Sequence, residues 1–340
     1  MLDLYSAQAA LRQGLGDFLA RGRPDGVFHL GVGGPGSVPA LNGLDLPELH
    51  LDLLPGPPNA DQRATLRSLG YQPAGNAWVH PGGWRLVLPD PTTGWRAGQQ
   101  SLRRLLTEDR EAAGLYTQRF REAGRQAADE ALTPAATAHY AATEGWRPAQ
   151  FMARALNALK SPWMLAGGVA LDLALGEVRR PHDDLDIAVD RTDQLALLAT
   201  LRTGGWRLDT PTGQGYADWT APLAPPAHQI HARHAGLPDV LFADFLLTDL
   251  SDGVWRYRRD PAVTRPLAEA RRWSPDGLPY LAPEIVLLFK SSRAQAAGDV
   301  RTKDASDAQR VLPILSAPAR NWLREALERT APDHPWLAQL

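Results

Sequence analysis

The sequence predicts a mixed α/β (α+β) protein made of two tandem domains with mixed sheets and a helical C-terminal segment. Segments with the apolar repeat of amphipathic helices alternate with short segments of period-two alternation, which is typical of half-buried strands. Glycines follow an early strand in each half of the chain, and the tail from Ala282 carries only helical patterns. With 340 residues, the chain is long enough for two domains that each bury a core.

The first predicted domain covers residues 1–140. In chain order we predict a helix over 1–22, strands over 27–32 and 48–54, a helix over 61–69, strands over 77–80 and 84–88, and helical structure over 98–131. The following stretch, 132–146, has a mixed pattern and contains Thr133 and Pro134. We therefore place the domain junction in that stretch.

The second predicted domain covers residues 141–250, and a helical segment over 251–340 follows it. We predict helices over 148–159, 169–175 and 192–203 and strands over 163–166, 185–189 and 240–247. In the tail we predict helices over 283–297, 303–315 and 318–329. Gly176 is well placed to end the helix before it, and Pro283 suits a first helical turn.

Composition excludes several classes of function. The formal net charge of −2 gives no basic footprint, so we expect no tight binding to duplex DNA. The chain has no cysteine, which excludes disulfides and thiolate metal sites. No apolar run approaches the roughly 20 residues of a membrane helix. The N-terminus, Met1 to Tyr5, lacks the pattern of a signal peptide. We therefore expect a cytoplasmic protein without a membrane partner.

The most informative motif is a pair of carboxylates in the second domain. Asp184 and Asp186 begin the predicted strand that continues through Ile187 and Val189. Side chains two apart on a strand share a face and lie about 6–7 Å apart along it. Two such carboxylates repel each other unless a cation lies between them, and Mg²⁺ is a cation that prefers carboxylate and phosphate oxygens. The pair therefore predicts a magnesium site.

Two glycines supply the second half of this motif. Gly167 and Gly168 separate the strand at 163–166 from the helix that follows. Glycines at such a junction let the backbone approach a ligand, and the helix N-terminus offers free N–H groups to a phosphate. About 15 residues separate them from the carboxylate pair, a spacing that makes the combination more informative than either part. We predict that Gly167 and Gly168 contact a nucleotide.

Asp244 is the candidate third carboxylate. It lies within the apolar strand at 240–247, where a charge is costly unless it is paired or binds a metal. The alternative is an aspartate that faces solvent or pairs with an arginine. Asp239 and Asp249 are fallback candidates for the same role.

These motifs resemble the polymerase-β-like nucleotidyltransferase superfamily over roughly residues 150–250. The segments 165–172 and 182–186 most resemble the aminoglycoside nucleotidyltransferases. The resemblance implies transfer of NMP from an NTP, ATP among the candidate donors, with two Mg²⁺ ions. It also implies that Asp184 and Asp186 are catalytic metal ligands and that Asp244 is the third one and the candidate base.

Further residues are candidates for contacts with the nucleotide. Arg180 and His182 precede the carboxylate pair and could contact the triphosphate, or form ordinary salt bridges. The tail from Pro283 to Asp307 resembles a helical segment of related nucleotidyltransferases, in which lysine and aspartate line the nucleotide cleft. By that resemblance Lys290 and Lys303 bind the nucleotide, together with Asp304; a solvated helix face is the alternative.

The first domain resembles the GrpB family, which is itself nucleotidyltransferase-like. The resemblance is carried by residues 36–41, by 94–96 and by the charged helix that follows. Where a pair of aspartates is expected, the sequence offers His50 and Asp52. Loss of one acid removes metal affinity, so we predict that this domain is inactive in transfer.

Three histidines spaced by three, at 228, 231 and 234, raise the question of a zinc site. The surrounding pattern favours a strand, and prolines directly before it argue against a helix. On a strand these histidines do not converge, so we do not predict zinc here.

The sequence therefore predicts a magnesium-dependent nucleotidyltransferase that uses an NTP and an unidentified hydroxyl acceptor. A small aminoglycoside-like molecule is the nearest acceptor by resemblance, and a tRNA 3′ end or a protein side chain are alternatives. A non-catalytic nucleotide-binding or scaffold protein is the alternative from another class. A kinase that uses the same cleft is a third reading.

Overall fold

The computed structural model describes residues 4–20, 27–54, 58–90, 93–212, 215–297 and 302–340. The chain forms two compact units: the first contains 1–145 with 179–183 and 209–218, and the second contains 146–178, 184–208 and 219–340. The mixed α/β class predicted from the sequence is confirmed, and the tail is helical from Pro283 onward. The predicted helical segment 251–340 is wrong over 254–281, where the structure has four short strands and one short helix. Among the described residues, no helix combines the length and the apolar character that crossing a membrane requires.

The first half of the chain is a five-stranded sheet with helices. Its elements are α1 (Leu4–Ala20), β1 (Val27–Gly33), β2 (Glu48–Leu54), α2 (Ala60–Ser68), β3 (Gln72–Ala74), β4 (Ala77–His80), β5 (Trp84–Val87), α3 (Trp95–Glu108) and α4 (Arg110–Thr143). The strand order is β1-β2-β5-β4-β3. Strand β2 is antiparallel to β1 and parallel to β5.

Alternation along β2 assigns its residues to two different environments. Leu49 and Leu51 are fully buried in a core that also contains Leu11 of α1 and Leu66 of α2. The residues between them, Glu48, His50 and Asp52, point to the other face by strand geometry and are equally buried. A buried polar face on a central strand requires partners, because burial of unpaired charge is costly.

Helix α4 corrects the prediction for residues 132–146. Instead of a mixed stretch, the structure shows helix through Thr143, with a break in helical geometry at Gly124. Pro134 removes one backbone hydrogen bond from this helix. Leu132 and Ala136 on either side are buried against α3, and this packing offsets that loss.

The second half of the chain contains an eight-stranded sheet, a small two-stranded sheet and the remaining helices. Its elements are α5 (Arg147–Ala155), β6 (Trp163–Leu165), α6 (Gly167–Leu175), β7 (Asp184–Asp190), α7 (Gln194–Thr203), β8 (Arg207–Thr212), β9 (Gly215–Asp218), β10 (Gln229–Arg233), β11 (Phe242–Thr248), β12 (Val254–Arg256), β13 (Thr264–Pro266), α8 (Leu267–Ala270), β14 (Arg271–Trp273), β15 (Pro279–Leu281), α9 (Pro283–Ala297), α10 (Thr302–Val311) and α11 (Ala317–Thr330). The large sheet has the order β14-β15-β6-β7-β11-β10-β8-β9.

The two faces of strand β7 pack against different cores. Leu185, Ile187 and Val189 belong to the core that contains residues of α5 and α7. Ala188, on the opposite face, belongs to the core formed with α6, α9, α10 and α11. Asp184 and Asp186 share the face of Ala188 because they are separated from it by even numbers of residues. The carboxylates thus begin the strand on the face that carries α6.

Candidate active site

The sheet of the second unit brings three predicted carboxylates to one face. Strand β11 runs parallel to β7, and Asp244 lies directly opposite Asp186 in this pair. Asp184 lies two residues before Asp186 and therefore shares its face. Asp244 is 6% exposed, whereas Asp184 and Asp186 are half-buried. The arrangement leaves the pair on β7 accessible and places Asp244 deeper beside it.

Gly167 lies against the Asp186 carboxylate. Its φ of +56° is in the left-handed region, and a Cβ built there would overlap Oδ2 of Asp186. Only glycine meets both conditions without strain. The backbone N–H of Ala166 also donates to the carbonyl oxygen of Asp186 at 2.7 Å. The N-terminus of α6, which contains Gly167 and Gly168, is thereby held beside the carboxylate.

Asp244 is contacted by two residues of β10 that the sequence analysis did not select for this role. Gln229 donates from Nε2 to Oδ2 of Asp244 at 2.7 Å. His231 lies opposite Asp244 in the antiparallel pair, with Nε2 3.7 Å from Oδ1. The His231 ring also stacks on Phe242, with centroids 4.0 Å apart. The presence of β10 confirms the strand predicted around these histidines.

Burial and the charge of Arg233 together lower the pKa of His231 to about 4, although Asp184 acts in the opposite direction. The imidazole is therefore neutral near pH 7. Asp244 consequently has two neutral neighbours, Gln229 and His231, on this strand.

The carboxylates of the site are compatible with Mg²⁺ as part of its ligand shell. In the part of the chain that the structure describes, no group of three or more His, Asp or Glu side chains is arranged to hold a metal ion. The three carboxylates therefore do not form a closed protein cage. Mg²⁺ does not usually require one, because it is commonly bound through one or two carboxylates with water and substrate phosphates. Asp184 and Asp186, half-buried on one strand face, match that mode.

Arg180 and His182 directly precede the strand that carries Asp184 and Asp186. Both lie in the segment 179–183, which belongs to the first compact unit. Arg180 donates from Nη1 to the carbonyl oxygen of Pro181 at 3.4 Å.

The tail lysines occupy different environments. Lys290 of α9 is 7% exposed, and its Nζ lies 2.6 Å from Oδ1 of Asp304 and 2.9 Å from Oδ2 of Asp307 on α10. This buried ion cluster joins α9 to α10, and both helices contact α6. Lys303 is half-buried at the start of α10. Lys290 therefore supports the helices behind α6, and the structure shows its charge balanced by aspartates.

Neither fallback residue lies opposite the carboxylate pair in the strand register. Asp249 follows the end of β11 and is exposed, and it accepts hydrogen bonds from Ser251 and Arg256. Asp239 is half-buried in the loop before β11. Neither shares the register position opposite Asp186 that Asp244 occupies.

The first unit contains a matching arrangement with different chemistry. Gly34 has φ +69°, and a Cβ there would overlap the carboxylate of Glu48, as at Gly167 and Asp186. Glu48 lies opposite Arg85 in the parallel pair of β2 and β5, as Asp186 lies opposite Asp244. The register thus corrects the sequence comparison: the counterpart of Asp186 is Glu48, two residues before His50.

Glu48 is surrounded by cations. It forms ion pairs with Arg85 and Arg125, and His50 lies 3.2 Å from its carboxylate. Burial alone would raise the pKa of Glu48, but the hydrogen bonds from His50 and Arg125 and the charges of both arginines hold it well below its usual range. Arginine side chains thus already neutralise the carboxylate at this position.

Comparisons with known proteins agree with part of this picture. A family model described as aminoglycoside-2''-adenylyltransferase matches residues 150–214. This segment contains Gly167, Asp184 and Asp186, and the match supports a nucleotidyltransferase. None of the curated proteins matches the chain.

Several solved structures are similar to the chain at low levels. ANT(2")-Ia in complex with adenylyl-2"-tobramycin is 17% identical, with a TM-score of 0.40, and the match covers 54% of this chain and 99% of that one. The lincosamide antibiotic adenylyltransferase LnuA is 18% identical, with a TM-score of 0.37 and coverages of 50% and 97%. An antigenic nucleotidyltransferase-like protein from Paracoccidioides brasiliensis is 16% identical, with a TM-score of 0.35 and coverages of 57% and 89%.

Proposed function

We propose that the second unit is a magnesium-dependent nucleotidyltransferase that moves NMP from an NTP to a hydroxyl group of a small molecule. The observation that carries this proposal is the placement of Asp184, Asp186 and Asp244 on one sheet face, with Gly167 against Asp186. The family match over 150–214 supports the same class of reaction.

Each residue of the site has a distinct proposed role. The N–H groups at the start of α6, at Gly167 and Gly168, bind phosphate oxygens of the NTP. Asp184 and Asp186, with Asp244, would hold Mg²⁺. Bound Mg²⁺ would neutralise the charge that develops on the phosphates during transfer.

In the proposed transfer step, Asp244 acts as the base. The acceptor oxygen bonds to the α-phosphorus, while the bond from that phosphorus to the β-phosphate bridging oxygen breaks. Pyrophosphate leaves with the electron pair of that bond, and Asp244 accepts the proton of the acceptor hydroxyl. Holding the NTP and the acceptor in line at one face of the sheet removes much of the entropic barrier to this step.

We propose that the first unit is a GrpB-like copy without transfer activity. Arg85 occupies the register position that corresponds to Asp244, and Leu46 the one that corresponds to Asp184. Glu48 and Asp45 are the acids at this position, and both are already paired with arginine. A divalent cation would have to displace two guanidinium groups, so we expect no metal there.

The description of the family model makes an aminoglycoside-like molecule the first acceptor to test. The hydroxyl of a tRNA 3′ end or of a protein side chain would suit the same chemistry. ATP is the first donor to test.

Thermal unfolding with ATP, GTP, CTP and UTP, with and without Mg²⁺, tests the proposal. A ligand at 100 times its Kd adds about 2.7 kcal/mol of stability, which raises the melting temperature by several degrees. We expect a magnesium-dependent shift with one nucleotide in the wild type and in the control Asp218→Asn, which changes an exposed aspartate. Asp186→Asn should lose the shift. The same shift in Asp186→Asn, or none in the wild type, would contradict the proposal, and the second result would favour the scaffold alternative.

A further inference from the structure

We propose that Gln229 is a positioning residue that orients Asp244 for metal and acceptor. The inference rests on the proposed function, because the orientation of Asp244 matters for transfer only at a working site. Neither the motifs of the sequence nor the match over 150–214, which ends before both residues, includes this pair.

The geometry supports a specific orienting contact. Gln229 and His231 lie on one face of β10 because they are two residues apart, and His231 lies opposite Asp244. From this position the Gln229 amide nitrogen reaches Oδ2 of Asp244 at 2.7 Å. An amide nitrogen only donates, so this bond requires Oδ2 to accept and restrains rotation of the carboxyl group.

The absence of charge on an amide group explains why a glutamine suits position 229 better than an arginine or a lysine. An amide donor orients the carboxylate of Asp244 and leaves its negative charge intact. An arginine or lysine would orient it equally well, but would cancel the charge that a metal ion or a hydroxyl proton requires. The first unit shows this outcome, because Glu48 there is paired with Arg85 and Arg125.

His231 lies beside the other carboxylate oxygen of Asp244 and also restricts its orientation. It is 6% exposed and packed against Phe242, and its Nε2 lies 3.7 Å from Oδ1 of Asp244. The imidazole ring at this distance restricts the space around Oδ1. Gln229, with its direct hydrogen bond, is therefore the stronger positioning residue of the two.

Binding of Mn²⁺, a paramagnetic substitute for Mg²⁺, tests this role in the full chain. Mn²⁺ affinity is measured by electron paramagnetic resonance with α,β-methylene-ATP present. Gln229→Met and Gln229→Leu both remove the amide donor but introduce side chains of different shape. If one variant fails to fold, the Mn²⁺ affinity of the other still tests the role of Gln229. Residues that orient metal ligands typically contribute about 10-fold to 100-fold in affinity. We expect about 10-fold weaker Mn²⁺ binding and an unchanged melting temperature without metal.

A matched control separates the role from a general effect of losing an amide. Gln118 is exposed on α4 and donates to Glu122 at 2.8 Å, so Gln118→Met removes a similar bond elsewhere. We expect Mn²⁺ affinity in Gln118→Met to equal that of the wild type. Equal affinities in Gln229→Met and in the wild type would overturn the inference.

A double-mutant cycle tests whether Gln229 acts through Asp244. In the Asp244→Asn background, Gln229→Met should weaken Mn²⁺ binding less than about twofold, because coupled residues are not additive. A full additional 10-fold loss would show a separate structural role and overturn the inference. If the wild type binds Mn²⁺, Asp186→Asn does not, and Gln229→Met binds normally, the inference fails while the proposed function stands. If the wild type binds no Mn²⁺, both fail.

Discussion

The sheets of the two units share one local arrangement of a glycine and a carboxylate, but the residue opposite the carboxylate differs in the sign of its charge. In each, a glycine with positive φ lies against a carboxylate on the next strand, at Gly34 and Glu48 and at Gly167 and Asp186. In each, a parallel strand places a residue opposite that carboxylate. This residue is Arg85 in the first unit and Asp244 in the second.

This difference in charge distinguishes the ion cluster of the first unit from the candidate catalytic site of the second. Glu48 and Asp45 with Arg85 and Arg125 form an internally neutralised cluster, which contributes to folding without a ligand. Asp186 with Asp244 instead places two acidic side chains opposite each other on neighbouring strands, an arrangement that a bound cation would stabilise. The backbone pattern alone therefore does not indicate function, whereas the charge of the opposing residue does.

The largest effect that follows from this comparison concerns stability. Glu48→Gln leaves Arg85 and Arg125 without their fully buried partner, and loss of one member of a buried ion pair is strongly destabilising. Because both arginines keep contact with solvent and with Asp45, we expect a loss at the lower end of the usual range, about 3 kcal/mol. Without Mg²⁺, Asp186→Asn should cost less stability than Glu48→Gln, because Asp186 is half-buried and Glu48 is fully buried. Urea unfolding of both variants measures this, and an equal loss in the two would break the comparison.

A smaller effect concerns acid pH. The folded-state pKa of Glu48 is lowered from its ordinary value of 4.5, so the unfolded chain binds this proton more readily than the folded chain. The stability that Glu48 contributes is therefore fully present above about pH 4.5 and is lost as the pH falls below that value. Unfolding free energies measured between pH 6 and pH 3 should fall less steeply in Glu48→Gln than in the wild type. Parallel pH curves for the two proteins would contradict this assignment.

Local patterns in the sequence were sufficient to predict the second unit's central features. Asp184 and Asp186 on a strand, and the glycines before α6, follow from periodicity and spacing within a short segment. The strand predicted over 48–54 is also present, with the same bounds. Such features depend on residues close in sequence.

The features that were missed depend on register between distant strands. Gln229 lies 15 residues before Asp244, and only the antiparallel pairing of β10 with β11 brings them together. The correspondence of Glu48 with Asp186 likewise depends on Arg85 and the parallel pairing of β2 with β5. Register of this kind is determined by tertiary packing, which local periodicity does not encode.

The most direct test of the account follows the phosphate groups. The full chain is incubated with Mg²⁺, an aminoglycoside panel and ATP labelled at the α- or the γ-phosphate, followed by GTP, CTP and UTP. We expect label from the α-phosphate on the acceptor, with release of pyrophosphate. This transfer should be lost in Asp186→Asn and retained in Glu48→Gln at a temperature where that variant is folded. Transfer of γ-label, or undiminished α-transfer in Asp186→Asn, would contradict the account.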